Sequence, residues 1–217
     1  MKVFAVIPAY NEAKRIGKVI EKAKRYVDQV VVVDDGSSDD TSVVSERYGV
    51  TVLRHVINLG KGAGLKTGAE YALSQGADAF VFIDSDGQHD PTLIPKFFKL
   101  LEHNDIVFGY RSFSKEMPFV FRFGNWFLNT WTKLLFGMAL RDTQSGYRAL
   151  RADAYRRIKW ESTSYSVESE MIANAGKRNL RFAQIPIPTI YNDRHKGTTP
   201  VDGVKIALDM LIWRMRR

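Results

Sequence analysis

Two aspartates, Asp84 and Asp86, directly follow an apolar run at residues 79–83. Such a run is typical of a buried strand, so both carboxylates fall on the turn after it, where they can reach one divalent ion. Hard cations such as Mg²⁺ and Mn²⁺ take oxygen ligands and bridge substrate phosphates. Gln88 and His89 add further polar groups. The pattern indicates a metal site, although a solvated surface turn would explain it about equally well.

A second acidic loop, DDGSSDD at residues 34–40, follows a run of valines. Asp35 can accept hydrogen bonds from a nucleobase there, and Gly36 allows close approach to the backbone. The same residue types also form ordinary turns, and Asp39 or Asp40 can cap the next helix. By itself this loop indicates a turn.

A glycine-rich segment, NLGKGAGLKTGAE at residues 58–70, invites comparison with a phosphate-binding loop. Its spacing breaks the G-x-x-x-x-G-K-[ST] pattern that such a loop requires, so that motif is excluded. A helix that starts here still presents free N–H groups to an anion. Glycines that let the helix pack closely on a sheet are an equally good explanation.

These loops need a scaffold, and the chain alternates short β-branched runs with longer amphipathic stretches. The predicted strands lie at residues 2–7, 30–33, 50–54, 79–83 and 105–109. The alternation predicts βαβ units and a mainly parallel sheet with helices on both faces. In such folds the site lies beyond the carboxyl ends of the strands, so the polar loops face one crevice.

After Ser112 the alternation breaks. We expect an apolar helical stretch, the turn RDTQSGYRA at residues 141–149, a helix near 166–178, a strand near 181–190 and a final amphipathic helix from about Val201. This second half is interpreted as the acceptor side.

Composition restricts the partners and the metal ligands. The formal charge of +8 and the pI of about 9.6 favour a polyanionic partner, whether nucleic acid, anionic lipid or a phosphorylated substrate. The chain has no cysteine, so any metal must be held by oxygen or nitrogen and no disulfide can form. The absence of cysteine also fits a reducing compartment.

The motifs PAYNE, DDGSSD, NLGKG, DSDGQ, GYR and DTQSGYRA occur in this order between Met1 and about Tyr191. The ordered set resembles the family-2 glycosyltransferases, and most closely the branch of dolichol-phosphate mannose synthase and polyprenyl-phosphate glycosyltransferases. The resemblance implies an α/β fold of the GT-A type, a divalent cation (Mg²⁺ or Mn²⁺) and inversion of the anomeric centre. We therefore expect one domain over residues 1–217, with a nucleotide-sugar-binding half (1–112) and an acceptor- and membrane-facing half (113–217).

The resemblance also implies roles for individual positions of the donor site. The residues expected to contact the nucleotide sugar are Pro8, Tyr10, Glu12, Val33, Asp35 and Asp84, with Lys196 or Arg194 in a basic loop over the diphosphate. The metal ligands are expected to be Asp84, Asp86 and Gln88.

The acceptor side is assigned in the same way. Arg111 is similar to an arginine that reaches donor or acceptor phosphate, and the turn with Asp142, Ser145, Gly146 and Tyr147 matches the turn that closes the acceptor side. The side chains expected at the acceptor phosphate are Arg111, Arg122, Ser145 and Arg194, and those expected in catalysis are Asp86, Arg111 and Asp142.

Three residues keep an alternative interpretation. Many members have a serine four residues after the arginine that corresponds to Arg122, whereas this chain has Trp126, so a role on the helix surface is about equally plausible for Arg122. Glu168 and Glu170 can serve the site or be solvated.

The chemistry of transfer depends on the acceptor. A phosphate acceptor is already ionised at neutral pH and needs no strong general base, whereas a sugar hydroxyl would need one, for which Asp142 is the first candidate. Phosphate also explains why basic residues should gather at the site, since two anions must be brought together. We therefore place a lipid phosphate first, ahead of a hydroxyl acceptor.

The lipid implies a membrane surface. An aromatic-rich segment, residues 119–136, suits an interface, and Arg214, Arg216 and Arg217 can bind anionic head groups, although core packing is the usual fate of an apolar helix. We expect no transmembrane helix and a peripheral protein at the cytoplasmic, inner face of the membrane.

Two other classes of protein share some of these sequence features. A sugar-1-phosphate nucleotidyltransferase would need a glycine-rich, arginine-bearing loop after the first strand, and PAYNE is not one. A basic nucleic-acid-binding module is less favoured, and we expect no nucleic-acid partner.

Overall fold

The computed structural model describes residues 1–111, 119–164, 166–188 and 200–215, with the backbone alone at 119–123 and 200–202. Strands and helices alternate through the first half. The elements in chain order are β1 (Val3–Ala9), α1 (Ile16–Ala23), β2 (Gln29–Asp34), α2 (Thr41–Glu46), β3 (Thr51–Arg54), α3 (Lys61–Ser74), β4 (Ala79–Phe82), a 3-10 turn (Pro91–Leu93), α4 (Ile94–Leu101), β5 (Ile106–Arg111), α5 (Phe119–Phe136), β6 (Arg148–Arg151), α6 (Ala152–Ile158), α7 (Val167–Lys177), β7 (Phe182–Ile187) and α8 (Pro200–Met215).

The strands of the described residues form one sheet in the order β3-β2-β1-β4-β6-β5-β7. Neighbouring strands are parallel except at β6, which runs antiparallel to both β4 and β5. The prediction of a mainly parallel sheet is confirmed. Because β6 runs the other way, it begins at the edge where the other strands end. The turn before β6 therefore joins the loops that follow β4 and β5.

The sheet is buried on both faces, which explains why its strands are nearly continuous apolar runs. Phe4 and Val6 point into one core layer with α3, α5 and α7, whereas Ala5 and Ile7 point into the other with α1 and α4. A Cβ on Gly68 would lie 2.4 Å from Val6 Cγ1, so this glycine lets α3 lie directly on the sheet.

The sequence-based prediction did not include β6 or α6: it assigned Arg148 and Ala149, at the start of β6, to the turn and gave no element to α6. Arg148, at the start of β6, is fully buried, and its guanidinium donates to the carbonyl oxygens of Thr143, Ser145 and Glu168. An arginine at a core position breaks the apolar pattern by which a strand is recognised. The helix predicted near 166–178 is confirmed as α7, and the strand predicted near 181–190 is confirmed over the span of β7.

The acidic loop after β2 contains the predicted helix cap. Asp39 Oδ1 accepts a hydrogen bond from the backbone N–H of Thr41 at 3.0 Å, while the side chain of Asp40 makes no capping bond. Of the two candidates, Asp39 is therefore the residue that stabilises the start of α2.

Candidate active site

A pocket opens at the edge where β4 and β5 end and β6 begins. Its lining includes Asp84 and Gln88 from the turn after β4, Arg111 from the end of β5, and Ser145 from the turn before β6. These four residues were assigned to the site from the sequence, and the structure brings them together. His89, Gln144 and Gly146 complete the polar part of the wall.

Asp84 is the carboxylate of this pocket that is held by a lysine. Its Oδ1 lies 2.7 Å from Nζ of Lys61, the first residue of α3, and its side chain is 26% exposed. Burial raises the pKa of Asp84, but the charges of Lys61 and His89 outweigh it and lower the pKa to about 2. Asp84 is therefore ionised at neutral pH and partly open to the pocket, not on the fully exposed turn that the sequence suggested.

Asp86 differs from Asp84 in its electrostatic surroundings. Its Oδ1 accepts a hydrogen bond from the backbone N–H of Gln88 at 2.9 Å, and the turn is closed by Gly87, whose φ of +77° favours glycine. Burial and the negative charge of Asp84 raise the pKa of Asp86. A cation placed between the two carboxylates would relieve that repulsion.

The oxygen donors of this turn fit a hard divalent cation that shares its coordination with a substrate. Within the described residues, no three His, Asp or Glu side chains are grouped so as to hold an ion by themselves. Mg²⁺ commonly takes one or two carboxylates and completes its shell with phosphate oxygens and water. Gly146 keeps space beside the turn, since a Cβ there would lie 2.9 Å from Asp84 Oδ2. Asp84, Asp86 and Gln88 therefore match Mg²⁺ or Mn²⁺ bound with a diphosphate.

Arg111, at the pocket wall, forms a second ion pair with the buried Asp142, which, like Asp86, is not itself a lining residue of the pocket. Arg111 donates from Nε to Asp142 Oδ2 at 2.7 Å and from Nη2 to Oδ1 at 3.2 Å. The backbone N–H groups of Arg111 and Gln144 also donate to this carboxylate. Burial raises the pKa of Asp142, but the charge and hydrogen bonds of Arg111 outweigh it and lower the pKa. A fully buried carboxylate with four donors and a lowered pKa is poorly suited to act as a general base.

The turn before β6 is fixed from two sides. Tyr147 stacks between His89 and Phe97, and its hydroxyl donates to the carbonyl oxygen of Asp90. On the other side, the buried Arg148 ties the turn to α7. Ser145, which was expected at the acceptor phosphate, is nearly buried at the pocket wall.

The residues assigned to the nucleotide lie along the ends of β1 and β2. Pro8 and Val33 face each other across these strands, Val33 is fully buried, and Tyr10 is about half exposed. Glu12 is buried and pairs with Arg15 at 2.9 Å. Tyr10 is thus the one of these four whose side chain is largely open to solvent.

Asp35 is already engaged by the protein. Its carboxylate accepts from the backbone N–H groups of Leu59 and Gly60 and pairs with His55 Nδ1 at 2.7 Å, while His55 Nε2 lies 3.0 Å from the Thr67 hydroxyl. A carboxylate has about four acceptor positions, so one on Oδ2 remains for a nucleobase.

The start of α3 favours packing over anion binding. The backbone N–H groups of Gly62 and Ala63 donate to the carbonyl oxygen of Thr163, and a Cβ on Gly62 would lie 2.1 Å from the carbonyl oxygen of Ser162. The segment before α7 therefore covers this helix start.

One residue was missed by sequence reasoning, and two were left open. Lys61 was not singled out from the sequence, yet it joins Asp84 to Glu168, which was left open and whose Oε1 lies 2.8 Å from Lys61 Nζ. Glu170 is a structural residue, since its carboxylate accepts from the backbone N–H groups of Glu161 and Ser162. The predicted residues Arg194 and Lys196, the side chain of Arg122, and Arg216 and Arg217 lie outside the described residues.

Comparison with known proteins identifies the family and the fold of the chain. Residues 4–159 match the model of glycosyl transferase family 2. A UDP-N-acetylglucosamine–dolichyl-phosphate N-acetylglucosaminyltransferase of Methanococcus voltae is 31% identical over 98% of this chain and 96% of its own length. An undecaprenyl-phosphate mannosyltransferase of Micrococcus luteus is 28% identical over 94% of this chain and 88% of its own length.

Among solved structures, glucosyl-3-phosphoglycerate synthase from Mycobacterium tuberculosis in complex with Mn²⁺, UDP and glucosyl-3-phosphoglycerate has a TM-score of 0.74 at 21% identity. The match covers 98% of this chain and 79% of that one, and it confirms the α/β fold of the GT-A type. The motifs, the fold and the family model agree, and the chain belongs to glycosyl transferase family 2.

Proposed function

We propose that this protein transfers a sugar, with inversion, from a nucleotide diphosphate donor to a polyprenyl or dolichyl phosphate, using Mg²⁺ or Mn²⁺. The observation that carries the proposal is the contrast inside one pocket. Asp84 and Asp86 lie on one turn and repel each other, so we assign a shared cation to them, while Asp142, the candidate base for a hydroxyl acceptor, is bound by Arg111. Such a pocket suits an acceptor that arrives already ionised.

The transfer is a single displacement. An oxygen of the acceptor phosphate bonds to the anomeric carbon as the bond from that carbon to the donor diphosphate breaks, and the nucleoside diphosphate leaves. No proton has to be removed, because a phosphate monoester is mostly ionised at pH 7. A bound cation would neutralise the negative charge that develops on the leaving diphosphate.

The residues of the chain bind and orient the two anions. We assign Asp84, Asp86 and Gln88 to the cation, and Pro8, Tyr10, Glu12, Val33 and Asp35 to the nucleotide, with Val33 offering its backbone only. Arg111 lines the pocket with a partly exposed guanidinium and is assigned to the acceptor phosphate together with Ser145. Arg122, Arg194 and Lys196 remain proposed from the resemblance.

We propose that the two halves of the chain bind different substrates. Residues 1–112 bind the nucleotide sugar and residues 113–217 face the acceptor. The two relatives that act on dolichyl and undecaprenyl phosphate match nearly the whole chain, which supports a lipid phosphate as the acceptor.

The lipid part of the acceptor calls for a surface, and α5 and α8 offer one. The two helices pack together, with Trp131 Nε1 donating to the carbonyl oxygen of Ala207. Leu128 and Phe136 face the core, whereas Leu134 is 74% and Met215 is 76% exposed. The other exposed apolar residues of these helices are Trp126, Phe127, Val204, Leu208, Leu211 and Ile212.

No helix in residues 1–111, 119–164, 166–188 or 200–215 has the length and apolar character needed to cross a membrane. We propose peripheral docking through this α5–α8 face at the cytoplasmic side, helped by Arg214. Flotation with anionic vesicles tests it: Leu208→Asp with Ile212→Asp should reduce binding strongly, whereas Lys66→Asp on helix α3, which is not part of this face, should reduce it only slightly. Equal flotation of the two variants would contradict the proposal.

The enzymatic proposal is tested with a panel of UDP- and GDP-linked sugars, Mn²⁺ or Mg²⁺, and a polyprenyl phosphate, read as lipid-linked product. One donor should give product that disappears when the metal is chelated. Absence of product with every donor, or product formation indifferent to chelation, would contradict the proposal.

A further inference from the structure

Lys61 stands between two carboxylates at the proposed metal site. Its Nζ is 2.7 Å from Asp84 Oδ1 and 2.8 Å from Glu168 Oε1, and these contacts join α3, the turn after β4 and the start of α7. Both contacts are within ion-pair distance, so the ammonium group neutralises the carboxylate that a cation would use.

The space around this ammonium group is matched to it. A Cβ on Gly146 would lie 2.7 Å from Lys61 Nζ and 3.0 Å from Asp84 Oδ1, so any side chain at position 146 would push into the pair. The glycine therefore leaves room for the contact on the side that faces the pocket.

Glu168 has an unused acceptor next to this lysine. In the part of the chain that the structure describes, Glu168 Oε2 is the one buried side-chain oxygen or nitrogen that has no hydrogen-bond partner. A buried carboxylate oxygen without a donor is unfavourable, so a group that moves toward it is stabilised. Lys61 Nζ is already bound to the other oxygen of the same carboxylate, so it is a cation that can move toward Oε2.

We propose that Lys61 is an exchangeable counter-ion of the metal site. It holds Asp84 before the cation binds, and when the cation takes Asp84 the ammonium group is kept by both oxygens of Glu168. This inference rests on the proposed function, because it takes Asp84 and Asp86 as the metal ligands. Lys61 is a positioning residue in this account, and its charge sets how easily the cation enters.

The exchange has a measurable consequence. The cation must displace an ammonium group in the wild type, whereas in Lys61→Met it meets Asp84 without that group. Coupling between two sites of a protein typically changes an affinity by about 5- to 150-fold, and on that scale Mn²⁺ should bind Lys61→Met about tenfold more tightly than the wild type.

The experiment is a titration of the full chain with Mn²⁺ alone, without nucleotide, followed by calorimetry and by the Mn²⁺-induced rise in Tm. Lys66→Met is the matched control, since Lys66 is an exposed lysine on the same helix, and it should bind Mn²⁺ like the wild type. Tighter binding in Lys61→Met, including binding where the wild type shows none, supports the proposal. Equal or weaker binding, or none in either protein, overturns it.

A variant that does not fold is still informative. If Lys61→Met folds only with Mn²⁺, the cation replaces the lysine as proposed. If it does not fold even then, Mn²⁺ binding is measured for Glu168→Gln instead. This variant removes the carboxylate that receives the ammonium group, so Mn²⁺ should bind more weakly than to the wild type. Unchanged or tighter binding overturns the proposal. Failure of the proposed function would be detected separately, in a turnover assay: Asp86→Ala would then keep metal-dependent turnover.

Discussion

Two aspartate ion pairs, each with one member in the pocket wall, differ in geometry and access: Lys61–Asp84 and Arg111–Asp142. Lysine offers one compact charge on a flexible chain, and Asp84 is 26% exposed. Arginine holds Asp142 with two parallel hydrogen bonds, and the side chain of Asp142 has no exposed area. The first carboxylate can exchange its partner, and the second cannot do so without disrupting the turn before β6.

The difference shows how one residue type is given two roles by its surroundings. In our proposal Asp84 receives a cation because its counter-ion is exchangeable, whereas Asp142 orients Arg111 toward the pocket. The contrast favours an ionised acceptor, since Arg111 lines the pocket and Asp142, the first candidate for a base, is bound by that arginine.

The largest effect is expected on the metal side. Asp86→Ala removes a proposed ligand without removing core packing, so turnover should fall by at least about 10²- to 10³-fold while the Tm stays close to that of the wild type. Asp153→Ala, at an exposed aspartate on α6, should keep full turnover. Unchanged metal-dependent turnover in Asp86→Ala would show that Asp86 is not a ligand of the catalytic metal.

A smaller loss is expected when the arginine pair is weakened. Arg111→Lys keeps the charge but loses the two-bond geometry, so kcat/KM should fall by about 10- to 100-fold, which corresponds to one or two lost charged hydrogen bonds. Arg157→Lys, on the exposed part of α6, should change nothing measurable. Full activity of Arg111→Lys would mean that this arginine only supports the turn.

The smallest effect concerns stability and its dependence on pH. Asp142→Asn removes the charge that Arg111 binds, so the free energy of unfolding at pH 7 should fall by about 2 kcal/mol. The folded-state pKa of Asp142 is lowered, so its contribution is fully present above the unfolded-state pKa of about 3.9 and is lost as the pH falls through the folded value.

Urea unfolding from pH 7 to pH 2 measures this difference. The difference in the free energy of unfolding between wild type and Asp142→Asn should have its full size above about pH 5 and should shrink below about pH 4. Asp153→Asn should show little gap at any pH, because its aspartate is mostly exposed. A gap of constant size down to pH 2 would show that the aspartate charge is not its cause.

Much of the fold could be predicted because its signals are local. The apolar runs of β1 to β5 and the polar loops after them follow from hydrophobic pattern, and these loops do carry Asp84, Gln88 and Arg111 to one pocket. Strand β6 could not be predicted this way, because Arg148 is stabilised at its core position by carbonyl groups of Thr143, Ser145 and Glu168.

The contacts of Lys61 with Asp84 and Glu168 could not be predicted from the local sequence pattern either. Lys61 lies in a glycine-rich segment whose spacing excluded a phosphate loop, and nothing near it in the sequence points to Asp84 or Glu168. Its contacts exist because α3 and α7 pack on the same face of the sheet. Asp35 was singled out as an acceptor for a nucleobase, whereas its burial and its partner His55 appear only through the tertiary fold.

The most direct test of the central claim compares two acceptors that differ only in the ionised group. With the active donor and Mn²⁺, a polyprenyl phosphate and the corresponding free polyprenol are offered at equal concentration, and lipid-linked product is measured. An ionised acceptor needs no base, so the phosphate should be glycosylated and the alcohol should give no product above background. Comparable transfer to the alcohol, abolished by Asp142→Asn, would show that Asp142 acts as a base and would contradict the account.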